Sequence, residues 1–186
     1  RIEGGPQALI DGLLDSLPED VLQTGQRVTA ISQDGSGVQV GTPTDVFAAA
    51  QVIVAAPLRV ACNSIRFSPA LPDDLLREVR ATPTWMAVHA KALAVYETAF
   101  WREVGLSGRI ASRAGPLVEA HDLCGADGTP AAIFGFVGWP HDVREQHGSQ
   151  LQNAIIDQLV RCFGGQAATP LHLHVEDWAR NPYICT

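Results

Sequence analysis

A chain of 186 residues that is 46% apolar and 18% charged is long enough to bury a real core and too apolar to be a disordered segment. Its formal charge of −7 comes from 20 acids against 13 bases that stand singly along the chain, which excludes the basic stripe of a nucleic-acid-binding protein. No apolar run approaches the roughly 18 residues of a membrane span, and the four cysteines, Cys62, Cys124, Cys162 and Cys185, lack the C-x-x-C spacing of a zinc or redox site, so reduced structural thiols are expected.

After Gly4-Gly5, the apolar residues Leu9, Ile10, Leu13, Leu14 and Leu17 recur at helical spacing between Pro6 and Pro18, which predicts a helix over about 6–17. Val28 to Ile31, the turn Asp34-Gly35-Ser36-Gly37 and Val38-Gln39-Val40 read as an antiparallel hairpin. A buried strand is expected from Ala48 to Ala56, ending at Pro57, then a proline-bounded linker over 67–72 and a charged helix from Asp73 to Arg80. A domain boundary is placed near residue 66, giving parts 1–66 and 67–186. The second part is expected to hold a long strand from Val88 to Tyr96, strands near 117–121 and 131–137, a helix over 149–163 closed by Gly164-Gly165, and a last strand from Leu171 to Val175.

Every basic residue but Lys91 is an arginine, and Lys91 sits in the apolar strand Ala90-Lys91-Ala92-Leu93-Ala94-Val95. Burying an ammonium without a partner is costly, so this lysine either snorkels or pairs with a core acid, or it serves a function. His89, two residues earlier, would share its strand face. His172 and His174 also share a face, but no third ligand accompanies them and no metal site is expected. Gly35, Gly37 and Gly41 are one residue too long for a dinucleotide fingerprint and lie in a hairpin; no G-x-S-x-G elbow occurs either.

Arg1-Ile2-Glu3-Gly4-Gly5-Pro6-Gln7-Ala8-Leu9, then Gly25-Gln26-Arg27-Val28-Thr29-Ala30-Ile31 and Ala50-Gln51-Val52-Ile53-Val54-Ala55-Ala56-Pro57, resemble in order the flavin-containing amine oxidases of the monoamine oxidase type. The more specific block is Thr84-Trp85-Met86-Ala87-Val88-His89-Ala90-Lys91 followed by Phe100-Trp101 and the glycines at 105 and 108. The resemblance implies that Val28 meets the adenine of FAD through its backbone, that Lys91 contacts the flavin N5 through a water, and that Trp178 flanks the cofactor. It further implies that Ala111, Glu119 and Tyr183 line a substrate cavity. Cys185 is two residues short of the position that binds flavin covalently in some members, so FAD would be held non-covalently.

The expected fold is α+β, a mixed or antiparallel sheet with covering helices. The expected function is part of an enzyme that oxidises an amine or amino acid with hydride passing to FAD and reoxidation by O₂. The dinucleotide fingerprint and the C-terminal flavin segment do not occur in the sequence, and a chain that opens at Arg1 without Met and stops at Thr186 reads as a central fragment, one that retains no FAD by itself. The alternative is a non-catalytic chain that self-associates or binds a partner through the surface a cofactor domain would cover. A desaturase or protoporphyrinogen-oxidase relative would share the early motifs but not the block from Trp85 to Gly108. A homo-oligomer, or association with further segments, and a cytoplasmic location without membrane or nucleic acid complete the expectations.

Overall fold

The computed structural model describes residues 4–84, 86 and 88–184, so Arg1-Ile2-Glu3, Trp85, Ala87 and Cys185 with the expectations attached to them lie outside the described residues. Two compact units emerge, Arg1–Val54 with Ser64–Pro72, and Ala55–Asn63 with Asp73–Thr186.

The first unit opens with helix α1 (Gly5–Asp15), which has Pro6 in its first turn and no buried residue. Strands β1 (Ala30–Asp34), β2 (Gly37–Gly41), β3 (Val46–Ala49) and β4 (Arg66–Ser68) form a sheet of order β3-β2-β1-β4. The hairpin β1–β2 is antiparallel, whereas β1 and β4 are parallel. Two expectations fail here. The proline-bounded stretch after residue 66 is partly a strand, because the Thr29 carbonyl accepts the Arg66 N–H at 3.0 Å and starts a parallel ladder. The buried strand expected over 48–56 stops at Ala49, and beyond it Ile53 is 92% exposed. An apolar run becomes a strand only where a neighbour supplies a ladder. Among the described residues no strand pairs with 50–54, which instead line a pocket with Ile31, Gln33, Val38, Phe67 and Leu71.

The second unit is built on a five-stranded antiparallel sheet of order β6-β7-β8-β5-β9, from β5 (Ala90–Tyr96), β6 (Ile110–Ala111), β7 (Leu117–Asp122), β8 (Ala131–Val137) and β9 (His172–Asp177). Helices α2 (Leu58–Ser64), α3 (Asp73–Ala81), α4 (Phe100–Glu103), α5 (His141–His147) and α6 (Gln150–Phe163) complete the element order. Fold class is therefore α+β, with one mixed and one antiparallel sheet. The strand expected from Val88 starts at Ala90, because Met86 accepts the His89 N–H at 3.2 Å and turns the chain just before it.

The core lies on one face of this second sheet. Ala90, Ala92 and Ala94 of β5 are at most 3% exposed, and their small side chains admit Leu151, Ile155 and Leu159 of α6 to the same cluster. Gln158, 1% exposed, fixes α6 by accepting from the Leu117 N–H at 2.7 Å and donating to the carbonyls of Leu117 and Ala114. Tyr96, Phe100 and Trp101 meet edge-to-face with centroids 5.0–5.8 Å apart, so the aromatic residues downstream of Lys91 belong to the core that holds its strand.

Candidate active-site face

The alternation that buries Ala90, Ala92 and Ala94 turns Lys91, Leu93 and Val95 to the opposite face, where each is half-buried. Residues directly opposed across an antiparallel ladder share a face. One row therefore runs Glu119, Phe136, Lys91, Glu176 across β7, β8, β5 and β9, and the next runs His121, Phe134, Leu93, His174. Ala111 opposes Glu119 from β6 and joins the same face. Three of the expected site residues, Lys91, Glu119 and Ala111, are thus brought onto one open surface by strand register alone. At about 4.8 Å per strand, the Lys91 and Glu119 backbones lie roughly 10 Å apart.

Lys91 is not sunk in apolar core. Its Nζ rests 5.9 Å from the centroid of the Phe134 ring and 5.7 Å from that of Phe136, and the two rings meet edge-to-face at 5.0 Å. Among the described residues no carboxylate lies within ion-pair distance of Nζ; the nearest in register, Glu176, faces His174 at 3.4 Å instead. Glu119 likewise pairs within its own strand, with His121 Nε2 at 2.9 Å. The His172 and His174 pair gathers no third ligand, and among the described residues no three His, Cys, Asp or Glu could hold a metal.

Trp178 follows β9 immediately, and its N–H donates to the His89 carbonyl at 3.1 Å, which ties it to the entrance of the Lys91 strand. Tyr183, five residues on, is 60% exposed. Val28 belongs to the first unit, two residues before β1; among the described residues its backbone N–H and C=O make no hydrogen bond, while Thr29 beside it is fully engaged with Gly41 and Arg66.

Two charged anchors carry no signature in the sequence. Arg144, 4% exposed, donates twice to Asp177, at 2.8 and 2.5 Å, and also to the carbonyls of Trp139 and Val88. Burial pushes the Asp177 carboxyl up, but the Arg144 guanidinium outweighs it and holds the group below its usual range. Asp122 accepts from Arg102 at 2.5 and 2.8 Å, from Trp101 Nε1 at 2.9 Å and from the Cys124 N–H at 2.8 Å. Burial raises it, and these donors overcompensate, so it too lies well below the ordinary carboxylate range. Neither arginine sits in an apolar period, and the only hint in the sequence is the acid's place at a strand end.

The profile of the Flavin containing amine oxidoreductase family matches residues 1–186, the whole chain. The chain belongs to that family. A Mycobacterium tuberculosis protein provisionally named flavin-containing monoamine oxidase AofH is 32% identical over 177 residues, 92% of this chain and 37% of that protein. Putrescine oxidase of Kocuria rosea is 28% identical over 209 residues, 100% of this chain and 42% of its own length. The solved structure of a single-residue variant of putrescine oxidase superposes with a TM-score of 0.84 at 25% identity, covering 99% of this chain and 41% of that one. This amine oxidoreductase chain thus spans about two fifths of the length of the relatives it matches. Among its described residues no helix is long and apolar enough to cross a membrane.

Proposed function

We propose that the chain is the portion of a flavin-dependent amine oxidase that supplies the lysine beside the flavin and part of the substrate cavity. Residues 1–66 would face the cofactor and residues 67–186 would form the substrate domain. The observation that carries this reading is Lys91, the chain's one lysine, whose Nζ has no carboxylate partner among the described residues and stands on two phenylalanine rings at the open face of the sheet.

The residues present suit such a cofactor. Among the described residues Val28 has no partner on its backbone N–H and C=O, which suits an adenine edge, and Lys91 has none on its ammonium, which suits a bound water. FAD, when bound, would supply the hydride acceptor for oxidation of an amine to an imine, with O₂ as the final electron acceptor and hydrolysis of the imine giving an aldehyde or keto acid. Lys91 would hold a water next to the flavin edge, above the two phenylalanine rings on which it stands. Trp178 flanks the cofactor, while Ala111, Glu119 and Tyr183 contribute cavity wall. Anaerobic mixing of the full-length gene product with a panel of primary amines and amino acids should bleach the visible flavin band with at least one of them. A bound flavin that no amine or amino acid bleaches would contradict the reading.

The second reading, a non-catalytic chain that associates through an uncovered surface, draws on α1, whose Leu9 and Leu13 are each 56% exposed.

A further inference from the structure

We infer that Arg144 is a positioning residue that sets Lys91 and Trp178 relative to one another; its functional meaning rests on the role proposed for Lys91, but the placement itself does not.

The guanidinium's donors reach three separate segments. Arg144 lies on α5, a short polar helix outside the sheet, yet its side chain is only 2% exposed. Nε and one terminal nitrogen grip the two oxygens of Asp177, the last residue of β9. That same terminal nitrogen donates at 2.9 Å to the carbonyl of Val88, and the other donates to Trp139. Asp177 opposes Ala90 in the ladder, so the rung above it carries Glu176 and Lys91. The residue after Asp177 is Trp178, whose N–H reaches back to His89. One planar fork therefore joins the residue three before Lys91 to the residue just before Trp178, at the end of the sheet where β5 enters and β9 leaves it.

A structural role alone is a poor account of this arrangement. A buried ion pair replaced by apolar side chains of similar volume is often neutral or stabilising, so retaining one gains little in stability. What apolar packing cannot do is fix two backbone carbonyls and a carboxylate in one plane. A guanidinium can, and a lysine cannot, because its ammonium has neither the fork nor the plane. Arg144 acts through the residues it holds, Asp177, Val88 and Trp139.

Because Lys91 is the only lysine of the chain, reductive ¹³C-methylation places a single side-chain probe on it. In the wild-type chain its methyl resonance should be displaced upfield by the Phe134 and Phe136 rings and well separated from the methylated N-terminus. Arg144→Gln, which removes the fork without adding a second lysine, should collapse that displacement towards the position of a free methylated lysine while the chain stays folded. Asp177→Asn, which breaks the fork from the other side, should do the same. Gln158→Leu loosens the sheet from the α6 side without touching this end, and it should lower the melting temperature but leave the resonance in place. The inference is overturned if the resonance stays put in Arg144→Gln, if Gln158→Leu moves it as far, or if both fork variants fail to fold. In the full-length gene product, Arg144→Lys should slow flavin turnover in the wild-type background and add nothing on top of Lys91→Met. Should Lys91→Met prove silent there while the resonance still follows the fork, the role proposed for Lys91 falls and the positioning by Arg144 stands.

Discussion

Lys91 is on the open face because alanine occupies the three alternate positions of its strand, letting α6 approach one side and leaving the lysine to the other. What holds it there is contact with two rings at a half-exposed site, an interaction of about 0.5–1 kcal/mol. Lys91→Met in this chain should therefore change stability by less than about 1 kcal/mol in denaturant melts, since a methionine keeps the ring contact and no ion pair is lost. Gly108 is less forgiving. It sits at φ +70°, where a Cβ would stand 2.7 Å from that of Asp122 and 2.9 Å from the Trp101 nitrogen. Gly108→Ala should cost on the order of 1–3 kcal/mol and loosen the Asp122 anchor. The two anchored carboxylates also fix the acid limb of stability. Both Asp122 and Asp177 are depressed when folded, so their contribution is fully present above the ordinary carboxylate value of about 3.9 and is lost as pH falls from there through the folded values. Thermal melts should be level from neutral pH down to about 5 and then fall, and Asp122→Asn should flatten that fall; an unchanged acid limb in the variant would count against the assignment.

At the scale of elements, α6 is held by one buried amide as well as by its apolar face. Gln158→Leu leaves the Leu117 N–H and two carbonyls without their partner, and should cost about 1–3 kcal/mol in chemical denaturation. Elements with strong periodicity are legible in the amino-acid sequence: α6 from Leu151, Ile155 and Leu159, and β5, β7 and β8 from their apolar runs. Elements whose existence depends on a distant partner are not. β4 is a strand only because β1 lies beside it, and the run Val52-Ile53-Val54 is not one because no strand among the described residues pairs with it. Helix α5, His141–His147, has no apolar period to find, and Arg144 is hidden with it. The face that carries Lys91, Glu119 and Ala111 is half legible. Residue type singles out the lysine, but only the register shows that Phe134 and Phe136 lie beneath it.

For the whole molecule, the uneven burial of the first unit has consequences in solution. Leu9, Ile10, Leu13 and Leu14 are 39–56% exposed on a helix that buries nothing, a surface that water does not favour. The purified 186-residue chain should self-associate, and changing Leu9 and Leu13 to glutamate should return light scattering towards the monomer mass without lowering the melting temperature of the second unit. An ideal monomer across a wide concentration range would contradict this. The same preparation should be colourless, because the sequence contains no G-x-G-x-x-G fingerprint ahead of a helix. The measurement that bears most directly on the central claim is made in the full-length gene product with Lys91→Met. The account predicts that the flavin stays bound, read from its visible absorbance, while stopped-flow rates of flavin reduction or reoxidation fall on the order of 10²-fold, as for loss of one placed donor. Rates equal to those of the wild type, with flavin still bound, would contradict it.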